Sequence, residues 1–155
     1  MHSREEWDLA MLTAVAETLE NMAFMEVTVA PSDFDVSTAQ NTWASILVLE
    51  PTQGEFRLIL SQNLLLAIGT NMYGPATPLT PPQLTDLLAE IINTIVGRFM
   101  GQLFSLEPFR LGIPQPASND APPVKTETIQ WTFLAEEEPL TVIASGAPML
   151  QLCQQ

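Results

Sequence analysis

A chain of 155 residues, 46% of them hydrophobic, is long and apolar enough to bury a real core, so one folded domain over 1–155 is expected rather than a disordered tail. Eighteen acidic against five basic residues give a net charge of −13, which repels nucleic-acid backbones and anionic membrane surfaces alike. One histidine (His2) and one cysteine (Cys153) exclude a disulfide framework, a zinc site built from either residue, and Ser-His or Cys-His catalysis. No apolar run reaches the roughly eighteen residues needed to cross a bilayer. The start, Met1-His-Ser-Arg-Glu-Glu, lacks the apolar stretch of a signal peptide. With a lone free thiol, these features give a cytoplasmic expectation.

In chain order, Ser3-Arg-Glu-Glu6 has the form of a capping box and opens a helix. Trp7, Met11, Val15, Leu19 and Met22 form its apolar stripe, with Glu6, Thr13, Glu17 and Glu20 opposite. Residues 24–29 read as a strand. Residues 42–50 and 55–61 are two clearer strands joined by the turn Pro51-Thr-Gln-Gly54. Residues 62–72 form a short helix, and 75–82 a proline-rich connector. Thr80 with Pro81 and Pro82 starts a second long helix, a hydroxyl cap followed by proline in the first turn, which runs to about Phe104. A strand over 109–113, a loop over 114–123, strands over 126–135 and 140–145, and a short strand over 148–152 complete the list.

The order is helix and three strands, a short helix, then helix and three strands again. That pattern suggests an internal repeat, about 1–61 and 80–152. Superposing the long helices sets Glu17 over Glu90 and Glu20 over Asn93.

The second long helix carries the most informative face. At 3.6 residues per turn, Leu84, Leu88, Ile91, Ile95 and Phe99 fall on one side; Asp86, Glu90, Asn93, Gly97 and Gly101 fall on the other. An ordinary wet face would be charged along its length. This one carries a carboxylate and an amide a turn apart, then two residues with no side chain, each costing roughly 1 kcal/mol against alanine. Two readings of the glycines stand: close approach by a partner, or tight packing on the short helix. Asp86 favours the helix N-terminal dipole on its own account, and Glu90 with Asn93 could be simply solvated. Paired carboxylates can run glycoside hydrolysis, but Trp7, Trp43 and Trp131 sit at core-like positions and leave no sugar cleft.

The spacing Asp86-x-x-x-Glu90-x-x-Asn93, with Gly97 a turn on and Pro114 some twenty residues later, resembles the CheC/CheX/FliY family of phosphatases, which act on the phosphorylated chemotaxis regulator CheY. One intact motif and one degenerate copy, Glu17-x-x-Glu20, are more like CheX than CheC. The resemblance implies an α+β fold: a six-stranded, largely antiparallel sheet with the two long helices on one face, dimerising through the sheet. It makes Glu90 the docking acid and Asn93 the water-positioning amide, with Asp86, Gly97 and Gly101 against the partner. That partner would be a phosphorylated CheY-type receiver bringing its own Mg²⁺, and the enzyme would need no cofactor. The rival reading is a docking module that keeps the fold and has lost the reaction.

Overall fold

Ser3 opens the first helix as the capping box requires. In the computed structural model, which describes residues 2–34, 40–117 and 127–154, its hydroxyl accepts the Glu6 N–H at 3.1 Å. The Glu6 carboxylate accepts the Ser3 N–H at 3.4 Å in return. Helix α1 (Arg4–Ala23) ends where Phe24 turns left-handed at φ 58° and returns its N–H to the Glu20 carbonyl. That cap consumes the start of the strand expected over 24–29, so only β2 (Val27–Val29) is extended. Strands β3 (Asn41–Glu50) and β4 (Gly54–Ser61) form the expected hairpin, and the Ser61 hydroxyl then caps α2 (Gln62–Tyr73) by accepting the Leu64 N–H.

Helix α3 (Pro81–Leu103) carries a second capping box, with Thr80 and Gln83 exchanging hydrogen bonds and Pro81 in the first turn. After it come β5 (Arg110–Leu111), β6 (Gln115–Ala117), β7 (Thr128–Ala135) and β8 (Glu138–Ser145). The β7–β8 link is two residues, Glu136 and Glu137, both at positive φ, the geometry that matches the twist of a tight hairpin. A short helix, α4 (Ala147–Leu150), leads to β9 (Cys153–Gln154), which pairs in parallel with β1 (His2–Ser3).

The largely antiparallel sheet of about six strands is present, and among the described residues it counts seven because residues 115–117 pair with β3. Three expectations are corrected. Two prolines made residues 115–117 look like loop, but a sheet edge tolerates a missing N–H, and Pro116 lies on one. The rest of the 114–123 loop from residue 118 onward, and the start of the 126–135 strand, lie outside the described residues. The strand expected over 148–152 is mostly α4, with Pro148 in its first turn. Trp43 is no core residue: it alternates with buried Thr42 and Ala44 and faces out of the sheet.

The seven strands run antiparallel in the order β2-β7-β8-β4-β3-β5, with β6 beside β5 on the outer edge of β3. Exchanging the two halves of the chain maps this order onto itself. Each half lends its first strand to the far edge of the other. Alternate residues of the four long strands, among them Ile46, Phe56, Leu58, Phe133 and Val142, point into one core under the helices. Phe99 of α3, fully buried, is its hub, with ring centroids 5.4 Å from Trp7, 5.4 Å from Phe56 and 6.0 Å from Trp131. Tilted and edge-to-face pairs of this kind add about 0.5–1.5 kcal/mol each beyond burial. They fix the rotation of α3 about its axis, and so the face it turns outward.

Candidate functional site

That outward face is narrow. Leu87, Leu88, Ile91, Ile92, Ile95, Val96, Phe99, Met100 and Leu103 are all buried, so apolar packing covers most of the helix circumference. Asp86, Glu90 and Asn93 are exposed, and Gly97 and Gly101 are half-buried between the packed flanks. At 100° per residue the five positions span an arc of about 80°. The sequence placed them on one face, and α3 puts all five along one strip.

The glycine alternatives can now be separated. A Cβ built on Gly97 meets nothing within 4 Å, and one on Gly101 meets only the Phe109 ring edge at 4.0 Å. Neither glycine packs on α2. The tight contact between α2 and α3 is instead at Gly69 of α2, whose Cβ would lie 2.6 Å from Leu79 Cδ1 of the connector and 3.6 Å from Leu87 of α3. The open space over the roughly two turns beyond Asn93 therefore belongs to the surface of the molecule.

Among the described residues, no hydrogen bond or ion pair engages the side chain of Asp86, Glu90 or Asn93. The matching pair on α1 differs. Glu17 accepts from Arg98 Nη1 at 2.8 Å, tying α1 to α3, while Glu20 stays exposed. The degenerate motif thus contributes a tether between helices, a pairing across 81 residues that no local pattern announces.

Pro114 sits between β5 and β6, not on the strip. Two residues on, Pro116 lines a cavity of about 390 Å³ with Leu84, Thr85 and Leu88, against the other side of α3. A second cavity, about 350 Å³, adjoins the strip itself, between α2's last residue Tyr73, the connector and α3's Asp86 and Glu90. Tyr73 escaped the sequence reading because nothing local marks a residue at a helix end as facing a helix reached through a connector. Among the described residues, no group of three or more His, Cys, Asp or Glu side chains is gathered to hold a metal ion. No helix among them is long and apolar enough to cross a membrane.

The class the fold defines is α+β: an open antiparallel sheet backed by two long helices, one of which bears an acid-and-amide strip. The sequence profile of the family described as "Chemotaxis phosphatase CheX" matches residues 43–133, and the chain belongs to that family, within the CheC/CheX/FliY group. Solved structures share the fold. The chemotaxis protein CheX of Vibrio vulnificus superposes with a TM-score of 0.73 at 18% identity, over 93% of this chain and 98% of its own. A putative chemotaxis protein of Desulfovibrio vulgaris Hildenborough gives 0.74 at 17%, over 94% and 99%. The CheX of Borrelia burgdorferi, solved as a CheX–CheY–BeF3–Mg²⁺ complex, gives 0.65 at 12%, over 90% and 96%. No curated protein matches the chain in sequence at a significant level.

Proposed function

We propose that this protein dephosphorylates a CheY-type receiver domain, with α3 as the docking helix. The observation that carries the reading is the strip on α3: an acid and an amide one turn apart, unpartnered among the described residues, continued by open space at Gly97 and Gly101. Family membership and the Borrelia complex with CheY supply the partner class.

The chemistry asks little of the enzyme. An aspartyl phosphate is a mixed anhydride. Water oxygen attacks phosphorus in line, the bond from phosphorus to the aspartate oxygen breaks, and aspartate and inorganic phosphate separate. No nucleophilic side chain is required; what accelerates the step is a water held at the right distance and angle. The Asn93 amide can accept from that water and donate to it without titrating. Glu90 lies beside it on the helix surface and can pair with a lysine of the receiver, fixing the register in which Asn93 reaches the phosphoryl group. Mg²⁺, on this reading, is the receiver's, and this chain supplies no cofactor.

The test is phosphate release from a phosphorylated CheY-type receiver of the same genome, in Mg²⁺, with wild type, Asn93→Ala and Glu90→Ala. Asn93→Ala should abolish the acceleration and leave affinity nearly intact; Glu90→Ala should weaken docking. Full activity in both variants would overturn the assignment. Binding without acceleration by the wild type would leave a docking module.

The outer sheet face, opposite the helices, exposes Leu47 at 51% and carries half-buried Trp43, Ile59 and Ile143. These apolar residues surround the Arg57–Glu55 ion pair on the same face, a mixture suited to an interaction surface, and we propose the homodimer there.

A further inference from the structure

Beside Glu90 lies the 350 Å³ cavity closed by the connector, and its lining specifies an occupant. Its floor is apolar. Leu87 is buried, and Leu79 is seated over Gly69, where a Cβ would strike Leu79 Cδ1 at 2.6 Å. One wall is Tyr73, 55% exposed at the end of α2. The rim holds Asp86 and Glu90, one turn apart on α3. Gln83 also lines the cavity, but its amide oxygen already accepts the Thr80 N–H at 2.8 Å. The charged groups on the rim are both acids, so their demand is for a cation; with the Thr77 hydroxyl nearby, they stand over an apolar floor next to an aromatic face. The chain as a whole carries −13, so repulsion from the rest of the surface adds to that demand.

We infer that this cavity takes a long basic side chain, lysine or arginine, from the receiver. The inference rests on the docking function proposed above. A basic side chain satisfies all three surfaces at once: its methylene stem lies on Leu79 and Leu87, its cation faces the Tyr73 ring, and its charge meets Asp86, with Glu90 left to the lysine beside the phosphoryl group. Asp86 is seven residues before Asn93, about 10 Å along the helix. The side chain it receives therefore comes from the edge of the receiver's docking face, distinct from the lysine beside the phosphoryl group. This contact would select among receivers of one genome, since a receiver with an acid or a short residue there loses it.

The experiment is steady-state dephosphorylation of the receiver by wild type, Tyr73→Ala, Tyr73→Phe and Asp86→Asn, repeated with receivers whose surface lysines and arginines are changed one at a time to glutamate. Tyr73→Ala and Asp86→Asn should each raise KM roughly two- to fivefold with little change in kcat, and Tyr73→Phe should restore it. One receiver substitution should reproduce the loss, and adding Asp86→Asn to it should cost nothing more. An unchanged KM in both variants, or no receiver cation coupled to Asp86, overturns the inference while leaving the phosphatase standing. If the wild type binds without hydrolysis, the same comparison is made on Kd for the BeF3-loaded receiver, and it decides the same way. If the wild type does not bind the receiver, both proposals fall together.

Discussion

Gly97 separates stability from function in a way that can be measured on one residue. It lies inside the 23-residue helix α3, and a Cβ there would meet nothing within 4 Å. Gly97→Ala therefore adds a methyl group to open space and removes backbone freedom only the unfolded chain uses. The expected gain is about 0.8–1 kcal/mol of stability, a rise in Tm of about 2–4 °C for a chain this long. With a urea m-value of about 1–3 kcal/mol/M, the midpoint should move up by roughly 0.3–1 M. Docking should move the other way. If a partner backbone or side chain lies against Gly97, a bulkier group is overpacking, which costs about 1–3 kcal/mol. Gly97→Leu should weaken receiver binding by about five- to 150-fold while the free protein stays folded. The assays are urea denaturation followed by fluorescence, and titration with the BeF3-loaded receiver. A Gly97→Ala protein no more stable than wild type would refute the open-space reading. A Gly97→Leu protein that binds normally would refute the docking face.

Two further outcomes are expected. Replacing Ile59 and Ile143 by aspartate on the outer sheet face should convert a dimer to a folded monomer by sedimentation equilibrium; a wild-type protein that is already monomeric at high concentration removes the interface. At the N-terminus, His2 hydrogen-bonds Glu6 at 2.9 Å and holds its carboxyl below the ordinary glutamate range, with the Ser3 N–H assisting. A carboxyl with a lowered folded-state pKa stabilises the fold above its unfolded-state pKa and loses that contribution as pH falls through the folded value. His2→Ala should raise the Glu6 midpoint in an NMR titration, so the stability lost on acidification should become smaller and should be complete at a higher pH; an unmoved midpoint would show that the Ser3 contacts alone set it.

Much of α3 could be read before any coordinates. Its cap, its proline start and its two faces are local properties, and Thr80, Pro81 and the 3.6-residue period carry them. The width of the exposed strip could not be read. Met100 and Leu87 flank it and are buried only because α1, α2 and the sheet wrap so far around the helix. The cavity beside Glu90 escaped for a similar reason: it needs Leu79 laid over Gly69, a contact through a proline-rich connector that has no periodicity. Strand β6 was hidden by its prolines, whose cost vanishes at an edge. Glu17 looked like a wet residue, since its partner Arg98 belongs to the other helix. Strand order was beyond local reading altogether, because pairing β2 with β7 and β3 with β5 depends on closing loops of great length.

That strand exchange bears on how the protein can change over time. Among the described residues, strand β2 of the first half finds its one sheet neighbour in β7 of the second, while β5 and β6 of the second half pair with β3 of the first. Neither half can be shed without stripping an edge from the other. The half whose helix carries Glu17 and Glu20 should thus be held more tightly by its strands than by its exposed helix face, where the Glu17–Arg98 pair is the tie to α3. Substitutions should accumulate on the outward side of α1 far faster than on β2, β3 or β4, and a new partner surface would have room to arise there without disturbing Asn93.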